Sequence, residues 1–325
     1  MNANDTKLNR FKPYLEKIDR ELDRAVKTSI FNLEDLCRYS LLGEGKRLRP
    51  LLFVLSAQLC GYQKEDLYRL SILFELIHTG SLLHDDVLDN AEVRRKKPAA
   101  RNVWGNPAAV LGGDYFYALA TTLATESNNW NFLARLNHAS TQMVEGQFLE
   151  LAQTNNWQTS KEQYLDIIRF KTAELISAAC ACGALVAGAE DPLVEHLNQF
   201  GLYFGIAFQM MDDLLDYISS EEVFGKPVGN DLKEGKVTLP LIYTLERIDR
   251  VEAERIENLF KNQPTDPEEY SAIIEMVKGK NIIEKIQSEV RNYFLKSVQC
   301  LEPFPSGSVK EDLITLTNEM AQRTC

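Results

Sequence analysis

Residues 74–89 read FELIHTGSLLHDDVLD, an apolar stretch that ends in a cluster of aspartates. The apolar residues recur with helical periodicity, which predicts a helix that ends at this cluster. Asp85 and Asp89 are four residues apart, so both carboxylates lie on one helical face. Like charges at this spacing cost an isolated helix roughly 0.2–0.5 kcal/mol. A bound cation would offset that cost, and hard oxygen ligands favour Mg2+ together with a phosphate group.

A second copy of the cluster follows another apolar stretch, where residues 212–216 read DDLLD. Asp212 and Asp216 again share one helical face. Each cluster precedes a predicted loop that contains several lysines or arginines, at residues 90–106 and 221–235. The sequence therefore repeats one arrangement, in which an apolar helix ends in carboxylates and is followed by cations.

Composition and periodicity predict an all-α fold, a single-domain helical bundle over residues 1–325. Strand signals are nearly absent, and no Pro/Gly/Ser-rich linker interrupts the pattern. Helices are predicted at residues 8–28, 33–42, 47–60, 64–89, 107–127, 130–154, 161–189, 192–220, 237–262, 267–278, 281–300 and 308–322.

Charge and cysteine content limit the function classes. The net charge of −11 argues against nonspecific nucleic-acid binding. The six cysteines form no Cys-x-x-Cys pair, which favours a reducing, cytoplasmic location. The most apolar stretch, residues 175–189, is shorter than the roughly 20 residues of a membrane span and is predicted to be a core helix.

Further polar residues accompany the clusters. Lys46 and Arg49 lie three apart at a predicted helix start, where free backbone N–H groups also attract anions.

On the helix that carries the first cluster, Ser81 lies one turn before Asp85, and Phe74 lies about 16 Å deeper on nearly the same line. This stripe fits either the wall of a channel for an anionic head and an apolar tail, or an ordinary amphipathic helix with a core phenylalanine.

Six motifs together carry a family resemblance: GKRLRP (45–50), HTGSLLHDDVLD (78–89), RR (94–95), KT (171–172), QMMDDLLD (209–216) and GKPVGNDLKEGK (225–236). In this order they resemble trans-isoprenyl diphosphate synthases, the polyprenyl synthetase family, and in particular long-chain, octaprenyl-type members. The resemblance covers nearly the whole chain. It implies an all-α fold around a deep central cavity, a homodimer, and the Mg2+-dependent joining of an allylic diphosphate to isopentenyl diphosphate.

The resemblance also implies residue roles. About three Mg2+ ions would be held by carboxylates, namely those of Asp85, Asp89, Asp212 and either Asp216 or Asp231. The allylic diphosphate would be bound by Arg94, Lys171, Thr172, Gln209, Lys226 and Lys236. Isopentenyl diphosphate would be bound by Lys46, Arg49, His78 and Arg95. The catalytic set would be Asp85, Asp89, Arg94, Lys171, Asp212 and Lys226, while His84 is given no role.

Product length is expected to depend on the helix below the first cluster. In the family the product grows down a channel there, and Gly80 and Ser81 are too small to close it at farnesyl length. Phe74 would stop the product near geranylgeranyl length if its ring points into the channel. If the ring packs sideways, longer products follow, and we expect a product longer than farnesyl diphosphate.

Three other functions compete with chain elongation. A class I terpene cyclase also uses an aspartate-rich helix, but the second Asp-Asp-x-x-Asp and the Lys46/Arg49 pair argue against it. A non-catalytic subunit of a heteromeric prenyltransferase would typically lack one aspartate cluster, and here both are intact. A helical scaffold with solvated acidic helix ends is the third alternative.

Overall fold

Helices make up almost all of the regular structure. The computed structural model describes residues 9–30, 32–43, 45–218, 229–262, 267–279 and 281–322. The helices within these ranges are α1 (Lys12–Ala25), α2 (Leu33–Leu41), α3 (Leu48–Leu59), α4 (Asp66–Ser71), α5 (Leu73–Leu88), α6 (Ala100–Trp104), α7 (Asn106–Thr125), α8 (Trp130–Gln153), α9 (Lys161–Ile168), α10 (Glu174–Val186), α11 (Asp191–Ile218), α12 (Asn230–Lys233), α13 (Leu239–Leu245), α14 (Arg250–Asn262), α15 (Pro267–Lys278), α16 (Ile282–Gln299) and α17 (Ser308–Ala321). The predicted all-α class is confirmed.

Local sequence explains where several helices begin. A proline stands in the first turn of α1, α7 and α13, where its missing N–H costs nothing. Ser160 and Gln163 form a capping box at the start of α9, in which each side chain accepts the other's backbone N–H. Asp249 and Glu252 bond reciprocally in the same way before α14. This second box divides the single helix predicted at 237–262 into α13 and α14.

The predicted loop at residues 90–106 contains regular structure. Strands β1 (Val93–Arg94) and β2 (Lys97–Pro98) form an antiparallel hairpin, which is followed by α6. Its two turn residues, Arg95 and Lys96, have φ of 51° and 61°, as a type I′ turn requires. The prediction missed this turn because glycine and asparagine are its usual residues. The helix predicted at 64–89 is also interrupted, between α4 and α5 at Ile72.

The chain forms two compact units. Unit 1 comprises Met1–Ser140 and Ala178–Leu197, and unit 2 comprises Thr141–Ser177 and Asn198–Cys325. Unit 1 contains the first aspartate cluster and unit 2 contains the second. Across the described ranges, no helix is both long and apolar enough to cross a membrane.

Within unit 1, α5 packs along α7, and small residues make this contact close. A Cβ atom on Gly113 of α7 would overlap the ring of His84. A Cβ on Gly80 of α5 would lie 3.1 Å from the carbonyl oxygen of Gly113. His84 Nε2 bonds to the Val110 carbonyl oxygen at 3.0 Å, and its ring stacks on Tyr117. His84 thus contacts the neighbouring helix, and this packing fixes the end of α5 that carries the aspartates.

Candidate active site

The first aspartate cluster divides into two chemically different parts. Asp85 and Asp89 are half-buried at the end of α5, and the Asp89 N–H donates to the Asp85 carbonyl oxygen at 2.8 Å. Asp86 points to another face of the helix and is only 2% exposed. Asp85 and Asp89 are therefore one helical turn apart, as their spacing predicts, and the middle aspartate is turned inward.

Arg94 lies on β1 and is held by the buried middle aspartate. Its Nε and Nη2 donate to Asp86 Oδ1 at 2.8 Å and 2.5 Å. A cavity of about 50 Å³ lies beside this ion pair and is also lined by Thr79 and Tyr39. The cation expected to grip a diphosphate is thus tied to the same cluster that would bind the metal.

The predicted isopentenyl diphosphate residues belong to one basic region of unit 1. Lys46 is exposed just before α3, and Arg49 is buried in its first turn. A Cβ atom on Gly45 would lie 3.4 Å from Arg95 Nη1, so the hairpin turn comes close to the segment that carries Lys46. Partial burial and the nearby charges of Arg47 and Arg94 lower the pKa of Arg95. A concentration of positive charge of this kind attracts an anion.

His78 faces this basic region from α5. Burial of its ring and the positive charges of Arg49, Arg95, Arg94 and Arg47 hold the pKa of His78 well below its usual range. The imidazole is therefore neutral near pH 7 and can donate one N–H hydrogen bond. His78 can contact a diphosphate as a neutral donor rather than as a cation.

Arg47 is a structural residue that the sequence did not single out. It is 5% exposed, and its guanidinium bonds to Asp19 at 2.9 Å and to the buried Glu75 at 3.0 Å. It also donates to the carbonyl oxygens of Leu41 and Gly43. These bonds hold the segment before α3, which carries Lys46. This structural role is hard to predict from the sequence, because Arg47 stands among the other cations of the motif at 45–50.

In the second cluster the middle aspartate is again buried. Asp213 is 6% exposed, whereas Asp212 and Asp216 are half-buried. Burial and the charges of Asp212 and Asp216 raise the pKa of Asp213 to about 7, against the lowering effect of bonds from Tyr164 and Gln209. Such crowding of carboxylates is relieved by a cation, and oxygen-only ligands suit Mg2+.

Asp216 and Asp231 complete this acidic group. The carboxylate of Asp216 accepts the backbone N–H groups of Asn230 and Asp231 at 3.2 Å and 3.1 Å, at the start of α12. Burial and the charges of Asp216 and Asp213 raise the pKa of Asp231 well above its usual range. Among the described residues, no three acidic, histidine or cysteine side chains form a closed metal cage. Mg2+ commonly uses one or two carboxylates together with substrate phosphates and water.

Lys171 and Thr172 lie in a π-helical turn, Arg169–Ala173, which interrupts the helix predicted at 161–189. Two glycines on neighbouring helices make room for this wider turn. A Cβ atom on Gly146 of α8 would lie 2.6 Å from the Lys171 backbone nitrogen. One on Gly205 of α11 would lie 2.6 Å from Ala173 Cα. Single π turns are frequent at functional sites, and this one presents the Lys-Thr pair.

Glu150 of α8 holds Lys171 and was missed by the sequence reasoning. Its Oε2 accepts from Lys171 Nζ at 2.5 Å and from Gln147 Nε2 at 3.2 Å. Burial opposes ionisation of Glu150, but the charges of Lys171 and Lys236 prevail and lower its pKa. Glu150 is therefore an ionised carboxylate next to two of the predicted diphosphate-binding lysines.

A cavity of about 160 Å³ in unit 2 unites most of the predicted allylic diphosphate residues. Its lining includes Lys171, Thr172, Gln209 and Lys236, together with the carboxylates of Asp213 and Asp231. Of the two other residues predicted to bind this diphosphate, Arg94 lies in unit 1 and Lys226 lies outside the described residues.

The predicted chain-length residues occupy different environments. Ser81 is half-buried, and its Oγ donates to the His78 carbonyl oxygen at 2.9 Å. Gly80 faces α7 instead, as its closeness to Gly113 shows. Phe74 is fully buried and packs against Phe53 and Phe132, with ring centroids 5.5 Å and 6.4 Å away. Phe74 thus belongs to an aromatic cluster in the core of unit 1.

Comparison with known proteins identifies the family. Residues 31–277 match the polyprenyl synthetase family. This chain belongs to that family. Its members named as diphosphate synthases are prenyltransferases, so the predicted enzyme class is confirmed. A heptaprenyl diphosphate synthase component 2 from Bacillus subtilis is 33% identical over 95% of this chain and 88% of its own length.

Other members of the polyprenyl synthetase family are similar to this chain at the same level. An octaprenyl diphosphate synthase from Escherichia coli is 34% identical over 90% of each chain. The crystal structure of a polyprenyl synthase from Caulobacter crescentus, complexed with calcium and isoprenyl diphosphate, is 33% identical with a TM-score of 0.94. That alignment covers 99% of this chain and 98% of the other.

Proposed function

We propose that this polyprenyl synthetase uses Mg2+ to elongate an allylic diphosphate with isopentenyl diphosphate, head to tail. The product is a trans-polyprenyl diphosphate longer than farnesyl diphosphate, and pyrophosphate is released. Residues 1–325 would act as a single polyprenyl synthetase domain. The observation that carries the proposal is the unit 2 cavity, in which Lys171, Thr172 and Lys236 adjoin crowded carboxylates. The Caulobacter relative, which binds calcium and isoprenyl diphosphate, supports the same ligand chemistry.

The oxygen-only donors of the two clusters fit Mg2+, and we assign the metal ligands as Asp85, Asp89, Asp212 and Asp216. Bound Mg2+ would neutralise charge that develops on the departing pyrophosphate. Lys171 and Lys236 would stabilise the same charge through fixed cationic contacts. Glu150 would keep Lys171 in place before the substrate arrives. Lys226 would contribute a further contact, as the family motif implies.

The residues of the basic region would bind isopentenyl diphosphate. Arg49 and Arg95 would supply planar, bidentate contacts to phosphate oxygens, and Lys46 a compact charge. His78 would donate one neutral hydrogen bond. The allylic C–O bond would ionise, the isopentenyl double bond would attack C1 of the allylic cation, and the released pyrophosphate would take the proton. No side-chain nucleophile is required for this reaction.

We propose the product length from the side chains of α5 that lie below the first cluster. Ser81 leaves space one turn below Asp85, and the packing of Phe74 against Phe53 and Phe132 supports growth past geranylgeranyl length. The heptaprenyl and octaprenyl relatives also favour a long product. A geranylgeranyl-type synthase is the second candidate, because a relative of this kind from Saccharolobus solfataricus is 30% identical.

We propose a homodimer on the basis of an exposed apolar stripe. Val144, Phe148 and Leu151 lie at positions i, i+4 and i+7 of α8 and are 51%, 69% and 47% exposed. They therefore share one helical face. Apolar patches of this kind commonly mark protein interfaces.

A cytoplasmic location stays a prediction, supported by free thiols at the five cysteines within the described ranges.

One assay tests the proposed function against its rivals. Purified protein is incubated with Mg2+, farnesyl diphosphate and labelled isopentenyl diphosphate. Elongated labelled product supports the synthase. Release of pyrophosphate without incorporation of label would indicate a cyclase. Activity that appears only after a second protein is added would indicate a subunit of a heteromeric enzyme, and no turnover under any condition would contradict the proposal.

A further inference from the structure

Four side chains of unit 2 form a continuous chain of hydrogen bonds. Thr172 Oγ1 donates to Gln209 Oε1 at 2.9 Å, and Gln209 Nε2 donates to Asp213 Oδ1 at 2.8 Å. Tyr164 Oη donates to Asp213 Oδ2 at 2.7 Å. Both carboxylate oxygens of Asp213 are therefore engaged, and so are both polar ends of the Gln209 amide.

These hydrogen bonds connect two segments of the polypeptide at two points. Tyr164 lies on α9 and Thr172 lies on the π turn that follows it, whereas Gln209 and Asp213 lie one turn apart on α11. Two links that are eight residues apart on one segment resist both sliding and rotation of that segment against α11. The π turn that presents Lys171 is thus held in register with the helix that carries the second aspartate cluster.

Asp213 differs from its neighbours in what it can do. It is 6% exposed, so it is less accessible to a metal than the half-buried Asp212 and Asp216. Adjacent residues of an α-helix are about 100° apart around its axis. Fixing Asp213 on the inner face therefore fixes the direction in which Asp212 and Asp216 point.

We propose that Tyr164 is a positioning residue that acts through Asp213. It holds the second aspartate cluster and the Lys171–Thr172 turn in the geometry that binds the magnesium–diphosphate group. In this arrangement Gln209 links Thr172 to Asp213. The inference rests on the proposed function, because it takes that site to be the diphosphate site.

The substitution Tyr164→Phe tests the proposal, because it removes one hydroxyl and keeps the ring. The probe is inorganic pyrophosphate, titrated in the presence of Mg2+ into the full chain and followed by calorimetry. The Kd for pyrophosphate should rise about tenfold, because a buried carboxylate oxygen loses its partner. The KM for isopentenyl diphosphate should stay within about twofold, because its proposed residues belong to unit 1.

Two controls separate positioning from general damage. Tyr293→Phe removes the hydroxyl of a half-buried ring of α16 that packs against Tyr203, and it should leave the Kd for pyrophosphate unchanged. In an Asp213→Ala background, adding Tyr164→Phe should raise the Kd less than about twofold, because the partner through which Tyr164 acts is gone. A full additional loss there would show that Tyr164 acts by another route.

The outcomes also separate this inference from the proposed function. An unchanged Kd for Tyr164→Phe, or equal losses in pyrophosphate and isopentenyl diphosphate binding, overturns the positioning role. If the unsubstituted protein binds magnesium–pyrophosphate but does not elongate farnesyl diphosphate, the proposed function fails while the Kd of Tyr164→Phe still tests the positioning role. If it binds no magnesium–pyrophosphate at all, both fail.

Discussion

At the scale of single residues, the middle aspartate of each cluster differs from the other two in its burial. In each, the middle aspartate is buried and bonded within the protein, to Arg94 in one case and to Tyr164 and Gln209 in the other. The first and third aspartates of each cluster are half-buried. We propose that the first and third carboxylates of each cluster bind a metal, while the middle one anchors the helix end.

The neutral state of His78 gives a prediction for isopentenyl diphosphate binding. His78→Gln should keep the KM for isopentenyl diphosphate within about threefold, because glutamine also donates a neutral N–H hydrogen bond. His78→Leu should raise that KM about tenfold, because one hydrogen bond to a charged group is lost. Steady-state kinetics with varied isopentenyl diphosphate measure both effects, and His138→Gln, at an exposed site on α8, is the control.

The pH dependence of this KM follows from the lowered pKa of His78. Since the ring gains a proton only well below its usual range, the wild-type and His78→Gln profiles should coincide from about pH 6 to 8. Folding stability from the neutral buried ring is present at neutral pH. It is lost as the pH falls below about 6.5, where the unfolded ring takes up a proton. An inflection near pH 6.5 in the wild-type profile of the KM for isopentenyl diphosphate, abolished by His78→Gln, would contradict a neutral His78.

At the scale of secondary-structure elements, the π turn at Arg169–Ala173 depends on glycines in its neighbours. Gly146→Ala would place a Cβ atom 2.6 Å from the Lys171 nitrogen, so the turn or α8 must shift. We expect a loss of about 1–3 kcal/mol in the free energy of unfolding, the usual cost of overpacking. The KM for the allylic diphosphate should rise as well, because Lys171 moves with the turn.

Denaturant unfolding and steady-state kinetics measure these two effects of Gly146→Ala. The control is Gly307→Ala, since Gly307 has an extended backbone with φ of 169° and nothing within 4 Å of an added Cβ. Wild-type stability and KM in Gly146→Ala would show that the π turn does not need this close approach.

Helix α5 gives a second prediction at this scale, about product length. Ser81→Phe should shorten the main product, because an aromatic ring one turn below Asp85 would narrow the proposed channel. Ser81→Ala removes the hydroxyl without adding bulk, and it should leave the distribution unchanged. Chromatography of the radiolabelled products measures chain length. An identical distribution in all three proteins would reject growth of the product along this face of α5.

At the scale of the whole molecule, the exposed stripe on α8 predicts self-association. Phe148→Glu would place a charge in the proposed interface and should give a monomer in sedimentation or light-scattering measurements. Trp130→Glu is a matched control, because Trp130 is 84% exposed on the same helix and lies outside the stripe. A dimer that persists in Phe148→Glu would place the interface elsewhere.

Much of the fold and part of the site could be predicted from the sequence. Helical periodicity found the helices, and the four-residue spacing put Asp85 with Asp89 on one face. Lys171, Thr172, Gln209 and Lys236, named from the family motifs, line one cavity. The residues that hold Lys171 and Asp213 in place could not be predicted from the sequence. Glu150 is 21 positions from Lys171, and Tyr164 is 49 positions from Asp213. Contacts over such separations depend on tertiary packing, which no local pattern encodes.

We propose that both aspartate clusters serve one chain-elongation reaction. Incorporation of labelled isopentenyl diphosphate into farnesyl diphosphate, with Mg2+, tests it most directly when wild type is compared with Asp85→Ala and Asp212→Ala. We expect elongated product from the wild type, and a loss of at least about a hundredfold in kcat/KM from either substitution. Wild-type incorporation by either variant, or none by the wild-type protein, would contradict the account.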